Sequence, residues 1–436
     1  MRVLISFNER ITISLVKVGI NLRKKYIFAA KEFSSMKNPL LALLASLLLP
    51  TTGVAQMYRY NPNFTLSEKN FCDTIPIVIE DDQLYLDVEM GGKNRRFLLD
   101  TGSSQGMIYQ NCDINGCTEL GHIISHDANN HADTVKVVAL PPFRLAKLTI
   151  SHYVASVLPS PAVRPDYDAI LGFDLFNRGL YAKIDTRNSI MILTDRKKTF
   201  QEEEKMGFTM KYKLKWFVPY LMVSPFVNHV DEVLFDTGFR QFYTMNKGSF
   251  NTHLENDLSR LNKHLGTNIK RQIEGRAKGQ FSIGAFGAEK ADEVVFLRLD
   301  RLKWNKFSFL DVRCITTQGA SKIGSPLLNH GALIINPTKK RLTLLPYNGT
   351  DSVTIGNEQM SVAFVPANGR AAVGLIWDGS EAYQAGLRQG DIILKIDDKP
   401  IPTFLDFTAF RFIKDHRHHF LVRDKEGKEK DVWMKR

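Results

Sequence analysis

The sequence predicts a mainly β chain of two similar lobes made by internal duplication, followed by a small α+β domain. Three observations predict it. An apolar run ends in Leu98-Leu99-Asp100-Thr101-Gly102-Ser103-Ser104, and Leu234-Phe235-Asp236-Thr237-Gly238 nearly repeats it. Each copy is then followed by a short stretch ending in glycine, Ile170-Leu171-Gly172 or Ile323-Gly324, and by a hairpin. Asp100 to Gly172 is 72 positions and Gly172 to Ile184 is 12, against 88 from Asp236 to Gly324 and 11 from Gly324 to Ile335. Repetition of order and spacing is the mark of a duplicated unit. The third observation is a change of pattern after Tyr347-Asn348-Gly349-Thr350.

At 436 residues the length fits two or three domains, and 44% hydrophobic with 24% charged residues suits a chain that buries a core. The net charge of +12 is partly terminal, because residues 1–35 hold seven Lys/Arg against two Glu. No basic stripe with interleaved aromatics follows, which excludes a nucleic-acid footprint. Residues 36–55 read as a secretory signal: Met36-Lys37, an apolar run from Leu40 to Leu49, then small residues up to Ala55. The run is short for a membrane span, which needs about 20 apolar residues; an uncleaved N-terminal anchor is the alternative. Residues 1–35 read as a non-native upstream extension, Met36 as the true start and Gln56 as the mature start. Export to a periplasmic or extracellular place, with no stable membrane insertion after cleavage, is the expectation.

The elements follow in order. Ile77-Val78-Ile79 and the alternating Tyr85–Met90 are strands, Gly91-Gly92 is a turn, and Arg96–Leu99 runs back to Asp100. Residues 126–134 are polar and loop-like. Ala169–Gly172 precedes a short helical piece over 173–177, and Ala182–Asp185 with Ile190–Leu193 makes a hairpin. The charged run 196–205 is expected to link lobe 1 (73–197) to lobe 2 (205–348). In lobe 2 a helix is expected over Thr252–Leu265 with Gly266 as its stop. Residues 279–287 are glycine-rich and read as a mobile hairpin. Leu333–Asn336 and Arg341–Leu345 repeat the lobe 1 hairpin. Residues 358–436 read as strand, short helix, tight turn, strand and a closing hairpin. His416, His418 and His419 beside Lys414 and Arg417 read as a solvated face.

The chemistry lies in the repeated motif. A single Asp-Thr-Gly is an ordinary strand-to-turn sequence, but two copies on two similar lobes bring two aspartates to one axis. Carboxyls that close share one proton and activate one water. Asp100 and Asp236 are therefore the candidate catalytic residues. Thr101, Gly102, Ser103, Thr237 and Gly238 are their candidate supports, because the hydroxyls can brace the pair and the glycines let backbone amides approach. Residues 126–134 and 279–287 are the candidate covers for a substrate. No Gly-x-Ser-x-Gly elbow supports serine chemistry. No His or Cys pair has metal-ligand spacing, so no metal or cofactor is expected. Cys112 and Cys117 bracket a short loop that a disulfide can close, with Cys72–Cys314 as the remaining pair; free thiols are the alternative.

These residues resemble aspartic proteases of the pepsin and retropepsin superfamily. The likeness rests on Asp100-Thr101-Gly102-Ser103-Ser104 with Ile170-Leu171-Gly172, and on Asp236-Thr237-Gly238 with Ile323-Gly324. Gly172 and Gly324 fall on superfamily glycines, and Cys112-x4-Cys117 is similar to the small disulfide loop of pepsin-like enzymes. Gly172-Phe173-Asp174-Leu175 looks closest to bacterial retropepsin-like members. The tail, Ser380-x4-Ala385-Gly386-Leu387-x2-Gly390-Asp391-Ile392-Ile393, resembles a PDZ domain of exported bacterial proteases. The resemblance implies a monomeric aspartic endopeptidase acting on polypeptides, with the tail binding a C-terminal or internal peptide of a substrate or partner. The rival expectation is a catalytically degenerate peptide-binding adaptor that uses the cleft or the tail. Two residues depart from the pattern: Phe239 where a hydroxyl or small residue is usual, and Lys322 where an apolar one is. The tail also lacks a clear carboxylate-binding loop, for which Phe364–Gly369 is the candidate segment.

Overall fold

The computed structural model describes residues 57–129, 131–160, 166–257, 269–413 and 416–435. The signal, the upstream extension and the Ala55/Gln56 cut therefore lie outside the described residues. The fold is mainly β and bilobal. In lobe 1 one sheet runs, in spatial order, Gln83–Met90, Lys93–Leu99, Ala169–Leu171, Gly106–Tyr109, Val154–Leu158, Ala132–Ala139 and Thr118–His126. Lobe 2 repeats that order with Val218–Phe226, His229–Asp236, Lys322–Gly324, Tyr243–Asn246, Phe307–Thr317, Asp292–Trp304 and Ile273–Gly279. The same neighbours are parallel in both: Leu98 pairs with Ile170 and Leu99 with Leu171, while Leu234 pairs with Lys322 and Phe235 with Ile323. The duplication read from motif spacing is thus a duplication of topology.

A third sheet joins the lobes. The hairpin Tyr181–Asp185/Ile190–Thr194 of lobe 1 meets Gly331–Asn336/Arg341–Pro346 of lobe 2 through Ala182↔Ile335 and Ile184↔Leu333. Cys72–Pro76 and Phe208–Lys211 flank the two hairpins, giving a nearly symmetric six-stranded layer. Its central strand Gly331–Asn336 is buried throughout. Strands buried on both sides read as continuous hydrophobic runs, and Leu333-Ile334-Ile335 is one. One apolar core reaches from Phe97 and Leu99 through Ile184 and Ile335 to Phe235 and Trp304.

Residues 362–435 form a separate sheet, Val362–Ala367, Arg370–Ile376, Ile392–Ile396, Arg417–Arg423 and Glu429–Lys435 in spatial order. Its own core holds Phe364, Val373, Ile393, Phe420 and Met434. Trp377 stacks on Phe296 of lobe 2 with ring centroids 5.7 Å apart, and the Gln280 amide donates to the Gly374 carbonyl. Among the described residues no helix is long and apolar enough to cross a membrane.

Several local expectations change. The lobe 2 helix occupies Lys247–Asp257, starting earlier than expected because the Asn246 side chain accepts from the Ser249 amide and caps it; residues 258–268 lie outside the described residues. The charged run 196–205 is not plain linker: buried Phe200 anchors it and Gln201–Met206 is helical. His418 is not solvated. It is buried against Phe410 and Phe412, faces Asp397 through Nδ1, and accepts the Ile413 amide at Nε2. Neither expected disulfide is present, since all four cysteines are free. The Cys117 thiol turns to the Ile114 carbonyl, while Cys314 is buried in the lobe 2 core and Cys72 is exposed.

Candidate active site

The two Asp-Thr-Gly turns meet where the lobes join. Each aspartate follows a buried strand end, Leu99 or Phe235, both fully inaccessible. Each threonine crosses to the other lobe. Thr101 Oγ1 donates to the Phe235 carbonyl (2.8 Å) and accepts the Thr237 amide (3.0 Å). Thr237 Oγ1 donates to the Leu99 carbonyl (2.6 Å) and accepts the Thr101 amide (3.0 Å). Both threonines are wholly buried, so four hydrogen bonds fix the turns to each other away from water.

The glycines let the carboxyls come together. A Cβ on Gly102 would stand 2.6 Å from Asp236 Oδ1, and one on Gly238 would stand 2.7 Å from Asp100 Cγ. Any side chain there would wedge the pair apart. The Gly102 amide donates to Asp100 Oδ1 (2.8 Å) and the Gly238 amide to Asp236 Oδ1 (3.1 Å). Gly172 and Gly324 sit behind the turns, where a Cβ would strike the Ser103 carbonyl and the Phe239 carbonyl respectively. Ser103 acts differently from expectation: its hydroxyl donates to the Gln105 carbonyl (2.6 Å), bracing the turn and not the carboxylate. Phe239 occupies the matching place in lobe 2, and Ser325 Oγ donates to its carbonyl (3.0 Å).

The electrostatics are asymmetric. Lys322 Nζ donates to Asp236 Oδ2 at 3.0 Å and lies over the Phe239 ring, 5.3 Å from its centroid. Burial opposes the Lys322 charge, but the charge and hydrogen bond of Asp236, with smaller contributions from Asp100 and Tyr220, together outweigh it and raise the ammonium pKa. Asp100 is pushed up to about 8, first by burial, then by the charge and hydrogen bond of Asp236, with Lys322 pulling the other way. Burial and its neighbour thus favour the proton on Asp100, while the Lys322 ammonium stands on the Asp236 side of the pair.

A pocket of about 320 Å³ opens on the pair, lined by Asp100, Asp236, Lys322, Phe239, Phe281 and Ile283 among others. Both segments expected to cover a substrate meet across it. Asn129 Nδ2 donates to the Ser282 carbonyl (3.3 Å) and the Gly287 carbonyl (3.0 Å), and Ser282 Oγ donates to Asn129 Oδ1 (2.7 Å). Asp127 Oδ2 accepts the Phe286 amide (3.0 Å). Glu289 Oε1 accepts the Phe281 and Ser282 amides, each at 3.1 Å. Asp127, Asn129 and Glu289 were not legible as site residues. Asp127-x-Asn129 signals only a local turn, and its partners lie over 150 positions away. Among the described residues no group of three or more His, Cys, Asp or Glu is placed to hold a metal ion.

No family model matches the chain, and no curated protein matches it. Solved structures similar to it include basic 7S globulin from soybean, 9% identical over 64% of this chain and 95% of that one, TM-score 0.38. Another is conglutin gamma, a unique basic 7S globulin from lupine seeds, 10% identical with the same coverage and TM-score. These findings overturn the resemblance to bacterial aspartic proteases carrying a PDZ-like domain. The motifs behind it are short, and a tripeptide at a strand end dictates a turn, not a lineage. In the tail, Phe364–Gly369 is no loop: Val362–Ala367 pairs with Arg370–Ile376 across a tight turn. The Gly374 carbonyl of that second strand is taken by Gln280 and Gln389.

Proposed function

We propose that the chain hydrolyses peptide bonds with a water activated between Asp100 and Asp236. The observation that carries this reading is the glycine-cradled carboxyl pair, held by reciprocal threonine bonds at the base of a pocket. The water oxygen bonds to the carbonyl carbon while its proton passes to the ionised carboxyl. The protonated carboxyl gives its proton to the carbonyl oxygen. The first carboxyl then protonates the leaving nitrogen, the C–N bond breaks, and the second recovers a proton from the diol. Acid–base help of this kind contributes about 10²–10⁴-fold, and the dry surroundings strengthen each charge interaction. Admission of a polypeptide needs the Asn129–Ser282 contact to part. Export, on the strength of residues 36–55, is part of the same proposal.

The test is cleavage of a mixed peptide library across pH by wild type, Asp100→Asn, Asp236→Asn and the double variant. Each single change is expected to abolish cleavage about as fully as the double change, because the pair acts as one unit. Full cleavage by either single variant would refute the reading. A second reading is a cleft that holds peptide without cutting it. The ion pair of Lys322 with Asp236 favours it, since a neutralised carboxylate is a weaker base. Peptide binding with no cleavage at any pH would establish that reading instead.

A further inference from the structure

The duplication makes one difference at the pair conspicuous. Ile170 pairs with Leu98, two positions before Asp100; Lys322 pairs with Leu234, two positions before Asp236. The two are topologically equivalent, so lobe 2 places an ammonium where lobe 1 places a hydrocarbon. Strand side chains two apart share a face, which brings Lys322 beside Asp236 and Ile170 to the same side of Asp100. The Lys322 side chain is only 14% exposed, and Phe239 covers it where lobe 1 has Ser103.

We propose that Lys322 is a positioning residue that breaks the symmetry of the pair. It holds Asp236 as the carboxylate that takes the proton from water and leaves the transferable proton on Asp100. Geometry carries this: a 3.0 Å hydrogen bond to Asp236 Oδ2, with an apolar residue at the equivalent place beside Asp100. The other groups facing the pair do not compete for the role. Tyr109 and Tyr167 face Asp100, Tyr220 faces Asp236 and Lys322, and burial raises all three phenols, keeping them neutral. Arg240 is turned to Gln83, beside Tyr85, which burial also keeps neutral.

The charge assignment stands apart from turnover, and only its kinetic consequence rests on the hydrolytic reading. The experiment uses the full chain as wild type, Lys322→Met, Lys322→Gln and Lys322→Arg. Two quantities are read: the carboxyl carbon titrations of Asp100 and Asp236 by NMR, and the pH profile of kcat/KM on the peptide library. In wild type Asp236 is expected to ionise first. An opposite charge this near moves a carboxyl by about 1–3 pH units. Removing the ammonium should therefore raise the first ionisation, and the acid limb of the profile, by about 1–3 units; Lys322→Arg should keep both near wild type. Titrations unmoved in both neutral variants, or Asp100 ionising first in wild type, would overturn the assignment. If the titrations move but wild type cuts no peptide, the assignment stands and the hydrolytic reading falls. If peptides are cut but nothing moves, the reverse holds. Should the neutral variants fail to fold, the wild-type order of ionisation decides the matter alone.

Discussion

Replacing Thr101 with valine tests whether the turns are held by hydrogen bonds across the lobes or merely packed there. Valine fills nearly the same volume, so the packing of a fully buried position survives. What is lost is the acceptor for the Thr237 amide and the donor to the Phe235 carbonyl. Leaving a buried polar group unpaired costs about 1–3 kcal/mol. The amide has one hydrogen and loses its partner outright, while a carbonyl has a second lone pair, so the joint cost falls at about 2–4 kcal/mol. At about 1.4 kcal/mol per tenfold, local opening of the Thr237 turn becomes roughly 30- to 1,000-fold more frequent. Native-state hydrogen exchange of the segment 233–239 measures this without assuming two-state unfolding of a multidomain chain. Thr101→Ser keeps the hydroxyl and should exchange near the wild-type rate. Thr237→Val should open the segment 97–103 instead, because each hydroxyl serves the opposite lobe. Exchange in Thr101→Val within about threefold of wild type would refute the argument.

Two further outcomes follow from the same geometry. Asp100 binds its proton more tightly folded than unfolded, since burial and Asp236 raise its pKa to about 8. Its contribution to stability is fully present below the unfolded value and is lost as pH rises through about 8. Asp100→Asn should therefore gain stability over wild type as pH rises from about 4 to 8, measured by urea midpoints; a gain that is flat with pH would count against the buried proton. Asn129→Ala removes three hydrogen bonds between the segments that meet over the pocket. At about 0.5–1.5 kcal/mol each, exchange in 281–288 should accelerate while the interlobe strand Tyr181–Asp185 stays protected; equal protection of 281–288 in both proteins would show the contact to be idle.

Much of the architecture was written in local sequence. The Asp-Thr-Gly turns, the Gly172 and Gly324 positions and the two hairpins recur with close spacing, and period-two apolar alternation marks strands such as Gln83–Met90 without any tertiary knowledge. The aspartates and their threonine and glycine supports were legible for the same reason: a turn is decided by neighbouring residues. Lineage was not legible, because short turn motifs recur wherever the same turn is needed.

Other features depended on partners far along the chain. Ser103 and Thr101 both carry hydroxyls within one turn, yet only Thr101 reaches the opposite lobe. Asn129 finds Ser282, and His418 is buried by Phe410 and Phe412 where its charged neighbours suggested solvent. Lys322 is the clearest case. Sequence shows a lysine before Ile323-Gly324; only the parallel register Leu234↔Lys322 turns its ammonium onto Asp236. Local sequence determines backbone shape because torsional preferences and apolar period act within a few residues. Charge acts through space, so the asymmetry of the pair was settled only when the lobe 2 strand register brought Lys322 to the Asp236 side of it.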